Sequence, residues 1–297
     1  MTDTAKKVAV VVLNWNGLAE TIECLESLHQ SDYPRLEVIV VDNGSTDGSC
    51  PAIKERFPDV CLIENQSNWG FVRGNNRGMA DGLERGADLL FVLNNDTILR
   101  PDCITELVNA IEGDPTIGIV GPLMQRTLRP DLVDMGGDFN FWTGDVRLRH
   151  FVLSIGGGDV QPIDYVWGCG LMVRAEVVQS IGLFAERYGA YYEDADFCMR
   201  ARAVGYRTVV ATRAWMVHKV GRSGEKRFLW QTHMRLRNHV LFFLSHARPH
   251  HYLSLVPALF LYQIPLMLVR AARLYLARKL MPRYQDRPIS LWYRPGL

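Results

Sequence analysis

Leu89-Leu90-Phe91-Val92-Leu93-Asn94-Asn95-Asp96-Thr97 runs from five consecutive apolar residues straight into two carboxamides and a carboxylate. An unbroken apolar run of this length reads as a strand buried on both faces, the mark of a parallel sheet covered by helices. Such a strand delivers its C-terminal residues to the crevice where open α/β sheets bind ligands. Asp96 is therefore placed to hold a hard divalent cation, which takes oxygen ligands and keeps positions for a substrate phosphate. Taken alone, Asn94, Asn95 and Asp96 read more readily as a polar turn before the helix that Pro101 opens, and it is the surrounding chain that reverses this.

The same pattern recurs upstream. Val8 to Leu13 is apolar and breaks at Asn14-Trp15-Asn16-Gly17, after which Leu18, Ile22, Leu25 and Leu28 follow at helical spacing. Leu36 to Val41 ends in Asp42-Asn43-Gly44-Ser45-Thr46-Asp47-Gly48, and Val60 to Ile63 leads to Asn65. Strands alternating with helices predict a mostly parallel sheet with right-handed crossovers. Each predicted strand stops at Asn or Asp, namely Asn14, Asp42, Asn65 and Asn94, which points to one shared polar crevice. The Gly-x-Gly-x-x-Gly turn of a dinucleotide-binding oxidoreductase is absent after the first strand, as is the phosphate-binding P-loop pattern.

Downstream, a helix around Ile104 to Ile111 and a strand at Ile117 to Val120 precede a looser stretch through Gly136-Gly137 and Gly156-Gly157-Gly158. In Val166-Trp167-Gly168-Cys169-Gly170-Leu171-Met172-Val173 the glycines either admit a ligand to the backbone or pack a strand beneath a loop. Tyr191-Tyr192-Glu193-Asp194-Ala195-Asp196 opens a helix with three acids in its first turn. The helix dipole favours carboxylates there, and one ionised near neutrality suits a general base; plain dipole complementation gives the same pattern. A strand from Thr208 to Ala211 leads to a lone His218, a residue type more often structural than metal-binding when met singly.

Composition bounds the class. The 297 residues, 48% of them apolar, can bury one large core or two modest ones, which excludes a disordered chain. Six scattered cysteines without a Cys-x-x-Cys read as small hydrophobes in a reducing compartment, and the first residues lack a signal-peptide apolar region. The net charge of +1 conceals a split: from Lys226 onward twelve Lys or Arg face one acid, Asp286, giving +11 and leaving −10 for residues 1–225. That asymmetry points to an anionic surface at the C-terminal end.

The ordered set V-V-D-N-G-S-T-D-G-S, N-x-G-F-x-x-G-N-N-x-G, L-N-N-D-T, Y-E-D-x-D-F-C-x-R-A and H-x-x-G-x-S resembles the inverting nucleotide-sugar glycosyltransferases of family 2. It is most similar to their rhamnosyltransferase-like subgroup. The resemblance covers about Val8 to Ser223 and implies a GT-A fold: a Rossmann-like, mostly parallel sheet flanked by helices. It further implies that Asp42 meets the base or ribose of the donor, with Asn14 and Asn16 beside it. Asn68, Arg73, Gly74 and Asn75 would line the diphosphate region. Asp96 falls on the last Asp of the family's D-x-D as a ligand for Mg²⁺ or Mn²⁺, and His218 on its late metal-binding His. Asn94 stands where the first Asp of that motif is expected and cannot supply its charge; Asn95 lies between them in the donor site. Asp194 falls on the catalytic base, with Glu193 and Trp167 toward the acceptor.

Two parts are thus expected: a GT-A domain over residues 1–225 and a basic, apolar helical tail over residues 226–297. Between Pro249 and Val269 there is no Lys, Arg, Asp or Glu over 21 residues, a length that could cross a bilayer. Pro257, Pro265 and Gln263 weaken a spanning helix, and Arg270, Arg273, Arg278, Lys279 and Arg283 follow at once. A segment lying in the membrane interface is the preferred reading, on the cytoplasmic face of the plasma membrane. The expected partners are a nucleotide-sugar donor, a saccharide or lipid-linked acceptor of surface-polysaccharide synthesis and a membrane surface, with no nucleic acid. The donor sugar would be rhamnose from dTDP-rhamnose or a hexose from a UDP-sugar. Rival readings are a nucleotidyltransferase that makes the donor, which should carry a glycine-rich basic loop after the first strand, and a non-catalytic sugar-nucleotide-binding module.

Overall fold

The computed structural model describes residues 5–126, 129–151, 159–219 and 228–280. Of these, the residues through Gly136 together with His150–Lys219 form one compact unit, and Gly137–Arg149 with the residues from 228 onward form a second.

In the first unit, β1 (Val8–Asn14), α1 (Leu18–His29), β2 (Leu36–Asp42), α2 (Ser49–Arg56), β3 (Cys61–Glu64), α3 (Gly70–Glu84) and β4 (Leu89–Asn94) alternate as expected. They form the parallel order β3-β2-β1-β4. Their side chains explain the pattern: Val8 to Val12 and Leu90 to Leu93 have no exposed surface, so both faces of each strand are covered. Helix α3 lies unusually close to this sheet. A Cβ at Gly74 would stand 2.4 Å from Leu13 Cδ1, one at Gly78 2.4 Å from Val11 Cγ1 and one at Gly82 2.7 Å from Leu90 Cδ2. Three glycines one turn apart make the groove into which β1 and β4 press.

Beyond β4 the sheet is mixed, which departs from a mostly parallel expectation. β5 (Thr97–Leu99), α4 (Cys103–Glu112), β6 (Ile117–Arg126), β7 (Arg129–Asn140), β8 (Asp145–Phe151) and β9 (Val160–Pro162) follow. Next come β10 (Gly170–Arg174), α5 (Ala175–Ile181), α6 (Glu193–Ala203) and β11 (Arg207–His218). β10 inserts antiparallel between β4 and β6, β11 runs parallel to β6, and β5 pairs antiparallel with the end of β11. The reason is connectivity, because β10 returns from a long β-rich excursion and not through a single crossover helix. Two boundaries differ from expectation. His218 is the last residue of a twelve-residue strand and does not follow one. Gly136-Gly137 lie within β7, where Gly136, at φ +115°, passes beneath the Tyr165 carbonyl with no room for a Cβ. The Gly156 to Gly158 run lies outside the described residues.

In the second unit, α7 (Phe228–His246), α8 (Tyr252–Ala258) and α9 (Ile264–Leu280) accompany the hairpin residues 137–149. Between α8 and α9 the chain stays helical through a π turn, Leu259–Gln263, despite Pro257 and Pro265. A proline removes a backbone donor and crowds the preceding turn, and a local π turn accommodates that without ending the helix. The stretch Pro249–Leu276 is long and apolar enough to cross a membrane.

Candidate active site

The carboxyl ends of β1, β2 and β4 align: Asn14 is the register partner of Asp42, and Leu13 of Asn94. Asn14 is the hub between them. Fully buried, it donates from Nδ2 to Asp42 Oδ1 (2.7 Å) and to Ser45 Oγ (3.2 Å). Its Oδ1 accepts from Thr21 Oγ1 (2.9 Å), the Gly17 amide (3.2 Å) and Asn95 Nδ2 (3.3 Å). Asp42, 1% exposed, also accepts the Ser45 amide on Oδ2 at 2.8 Å. Asn14 and Asp42 thus spend their hydrogen bonds on fixing two loops, and the surfaces of those loops face outward.

Asn16 continues the bracing. It sits at φ +50° and accepts the Thr46 amide on Oδ1 at 2.8 Å, while its own amide donates to Ser45 Oγ. Asp47, overlooked in the sequence, accepts the Leu18 amide at 2.9 Å and so caps α1 across the crevice, since Gly17 has no side chain to do so. Burial raises its pKa, but hydrogen bonds from Ser49 and Leu18 outweigh that and leave it below the usual aspartate value.

On the other side of β2 a ladder of carboxamides runs from Asn65 Nδ2 to Asn43 Oδ1 (2.9 Å) and from Asn43 Nδ2 to Asn68 Oδ1 (3.4 Å). Asn68 Oδ1 in turn accepts the Gly70 amide (2.7 Å) at the start of α3. Asn43, which links the ladder, was not among the expected site residues, and Asn65 was expected only as a strand end at the shared crevice. The run of Asn at strand ends was the available signal. Arg73 is exposed, its guanidinium 5.4 Å over the Trp69 ring and 3.7 Å from Glu186. Gly74 does not line an open surface; its place is the contact between α3 and β1. Asn75 is buried and donates to the Phe71 carbonyl, whereas Asn76 exchanges two hydrogen bonds with the backbone of Phe184.

Asp96 and His218 are brought together. His218 Nε2 lies 3.1 Å from Asp96 Oδ1, and the Lys219 amide donates to the Asp96 carbonyl at 2.9 Å. Antiparallel pairing of β5 with the end of β11, His218 opposite Thr97, creates the meeting. The carboxylate oxygen suits Mg²⁺ or Mn²⁺, and the imidazole nitrogen beside it favours Mn²⁺ of the two, because Mg²⁺ takes oxygen ligands almost exclusively. Among the described residues no cluster of three or more His, Cys, Asp or Glu could hold a metal.

The acids opening α6 divide their roles by burial. Asp196 has no exposed surface and is paired with Arg200 at 2.7 Å and Arg187 at 3.0 Å, which makes it structural. Glu193 is buried, and Asp194 is half-buried with Oδ2 accepting the Gly168 amide at 2.9 Å. The next peptide is tied the other way, with the Asn94 amide donating to the Cys169 carbonyl at 3.2 Å. Gly168 and Cys169 therefore fasten the start of α6 to the end of β4. The glycines in this segment serve packing: a Cβ at Gly168 would lie 3.3 Å from that of Asp194, and one at Gly170 2.6 Å from Met216 Cε. Trp167 packs edge-on to Tyr165 with ring centroids 5.5 Å apart. Tyr191 and Tyr192, just before Asp194, both have positive φ (68° and 71°). That conformation costs a bulky residue roughly 1–2 kcal/mol and concentrates at functional sites.

A polar crevice at the carboxyl ends of β1, β2 and β4, in a sheet whose second half is mixed, is an α/β architecture of the GT-A type. The sequence matches Glycosyl transferase family 2 over residues 9–181, more than half the chain, and the protein belongs to that family. The matched span ends before α6 and His218. A relative from Mycobacterium tuberculosis, N-acetylglucosaminyl-diphospho-decaprenol L-rhamnosyltransferase, is 28% identical over 243 residues, 73% of this chain and 76% of the relative. The low-salt glycan biosynthesis hexosyltransferase Agl10 of Haloferax volcanii is 25% identical over 66% of this chain and 61% of its own length. In fold, the chain resembles the mannosyltransferase PcManGT from Pyrobaculum calidifontis, solved with GDP-Man and Mn²⁺. The TM-score is 0.61 at 21% identity, covering 94% of this chain and 79% of that one. The protein is a glycosyltransferase.

Proposed function

We propose that this enzyme moves a sugar, with inversion, from a nucleotide-sugar donor to a hydroxyl of a saccharide or lipid-linked acceptor in bacterial surface-polysaccharide synthesis. Rhamnose from dTDP-rhamnose is the first choice of donor sugar, in keeping with the mycobacterial relative, and a hexose from a UDP-sugar the second. The observation that carries the reading is the double tie of Gly168 and Cys169, which links Asp194 to the strand end that precedes Asp96.

In this scheme Asp194 takes the proton of the acceptor hydroxyl, whose oxygen attacks the anomeric carbon as the bond to the diphosphate breaks. One displacement inverts that carbon. Glu193 and Trp167 position the acceptor, and Arg73 offers its exposed guanidinium to the departing diphosphate. Asp96 and His218 would hold Mg²⁺ or Mn²⁺, which when bound neutralises leaving-group charge. The two braced loops carrying Asn14, Asn16 and Asp42 shape the nucleoside end of the site, with Asn94 and Asn95 beside it. Residues 1–225 perform the chemistry, and residues 226–297 rest on the cytoplasmic face of the membrane.

Thermal-shift measurements against dTDP-, UDP- and GDP-sugars with and without Mn²⁺ test the donor class. A metal-dependent rise with one of them, followed by transfer with an inverted anomer in the product, is the expected result. If no nucleotide-sugar shifts the melting transition, the reading is wrong.

A further inference from the structure

The helical stretch from Tyr252 to Leu280 buries Leu255, Leu259, Gln263, Met267, Ala271 and Leu274. From Leu255 to Ala271 that face repeats every fourth residue, so four turns must hold sixteen residues, whereas four α-helical turns hold about 14.4. The π turn Leu259–Gln263 takes up about half of that excess, since each of its residues turns the chain through a smaller angle, and the rest is a slow drift that keeps these side chains on one side of the helix. A single face therefore stays packed within the second unit along the whole length. Gln263 donates to Asp145 Oδ1 and the Thr143 carbonyl, and Met267, Ala271 and Leu274 cluster with Phe228 and Leu236.

Rephasing has a counterpart on the opposite face. Leu253, Phe260, Leu261, Leu268, Val269 and Leu276 fall into one exposed stripe, between 49% and 90% open. No acid occurs between Pro249 and Leu280, while Arg270, Arg273 and Lys279 fall in the last three turns. At the other end Trp142, 53% exposed, packs edge-on against His251 at 4.8 Å. A packed face, an apolar face, cations at one end and an indole at the other are the features of a helix lying in a lipid interface.

We infer that this stripe is the surface that docks on an anionic lipid layer, lying in its plane without crossing it, and that the π turn exists to keep the stripe in register. This deepens the membrane association proposed above and rests on it. Partition of the full-length chain into phosphatidylcholine vesicles, with and without phosphatidylglycerol, tests it. Leu261→Glu, Leu253→Glu and the milder Phe260→Ser should each weaken binding to the anionic vesicles by about tenfold or more, from the loss of one buried apolar side chain. Val204→Glu, at an apolar position of the first unit about as exposed as Phe260, should leave it unchanged. Alkaline carbonate should release the wild type. Stripe variants that bind like the wild type overturn the face assignment while leaving membrane association standing; a wild type that ignores anionic vesicles overturns both. Carbonate resistance shows a spanning helix and sinks the in-plane placement. A wild-type dimer that these variants dissociate, with vesicle binding unaltered, shows that a second copy covers the stripe and sinks the lipid assignment.

Discussion

His218 Nε2 and Asp96 Oδ1 stand 3.1 Å apart although 122 residues separate them in the chain. Two strands had to pair for that contact to exist, and both side chains remain only partly accessible. Asp96→Ala should abolish Mn²⁺-dependent donor binding. His218→Ala should weaken it by about 10- to 100-fold if the imidazole is a ligand or orients one. Titration calorimetry with a nucleoside diphosphate checks both; metal dependence surviving intact in Asp96→Ala places the metal elsewhere.

Asp194→Asn keeps the shape that receives the Gly168 amide but cannot accept a proton. Transfer should fall by roughly 10²-fold or more, with donor affinity unchanged. Near-native turnover in this variant, together with loss in Glu193→Gln, would move the base by one residue.

Asn14 supplies both the donor to Asp42 and the acceptor for Thr21, Gly17 and Asn95. Removing it in Asn14→Ala strands several buried groups and should cost about 2–3 kcal/mol or more in a urea titration. Asn14→Asp sets a second carboxyl against Asp42. Its penalty should therefore shrink as pH is lowered and one of the pair takes a proton. A penalty independent of pH argues against that contact.

His239 is buried, and burial pushes its imidazole down to about 4, with nearby Asp145 acting weakly in the opposite sense. The folded pKa lies below the unfolded one, so the unfolded chain takes up the proton first as pH falls. Its contribution is complete above about 6.5 and is lost progressively down to about 4, at roughly 1.4 kcal/mol per pH unit. His239→Phe should lose that acid sensitivity; urea midpoints at pH 7.5 and 5 that fall equally in both proteins refute it.

How much was legible depended on whether local chemistry or distant packing set each feature. Strands β1, β2 and β4 could be read because burial on both faces demands continuous apolar runs, and their polar ends could be read as a crevice for the same reason. Asp96 and His218 were nameable by resemblance, but their contact depends on β11 continuing through Trp215 to His218, which the short apolar run at Thr208 to Ala211 understated. Gly136 was misread because a strand glycine beneath a carbonyl looks like a loop glycine. The Asn at the strand ends signalled a polar crevice, but their pairing into the Asn43 ladder and the two left-handed tyrosines are products of tertiary fit. The π turn was hidden because two prolines read locally as interruptions.

Gly168 and Cys169 secure Asp194 and the end of β4 through a peptide N–H and a peptide C=O. Every amino acid but proline carries that N–H, and every one carries the C=O. Neighbouring side chains can therefore change without removing either hydrogen bond, within the limits set at Trp167 by its packing on Tyr165 and the core. On the roles proposed above, acceptor range and catalytic alignment then rest on different atoms and become separately heritable traits, and a library at position 167 is the place to seek new acceptors from this scaffold.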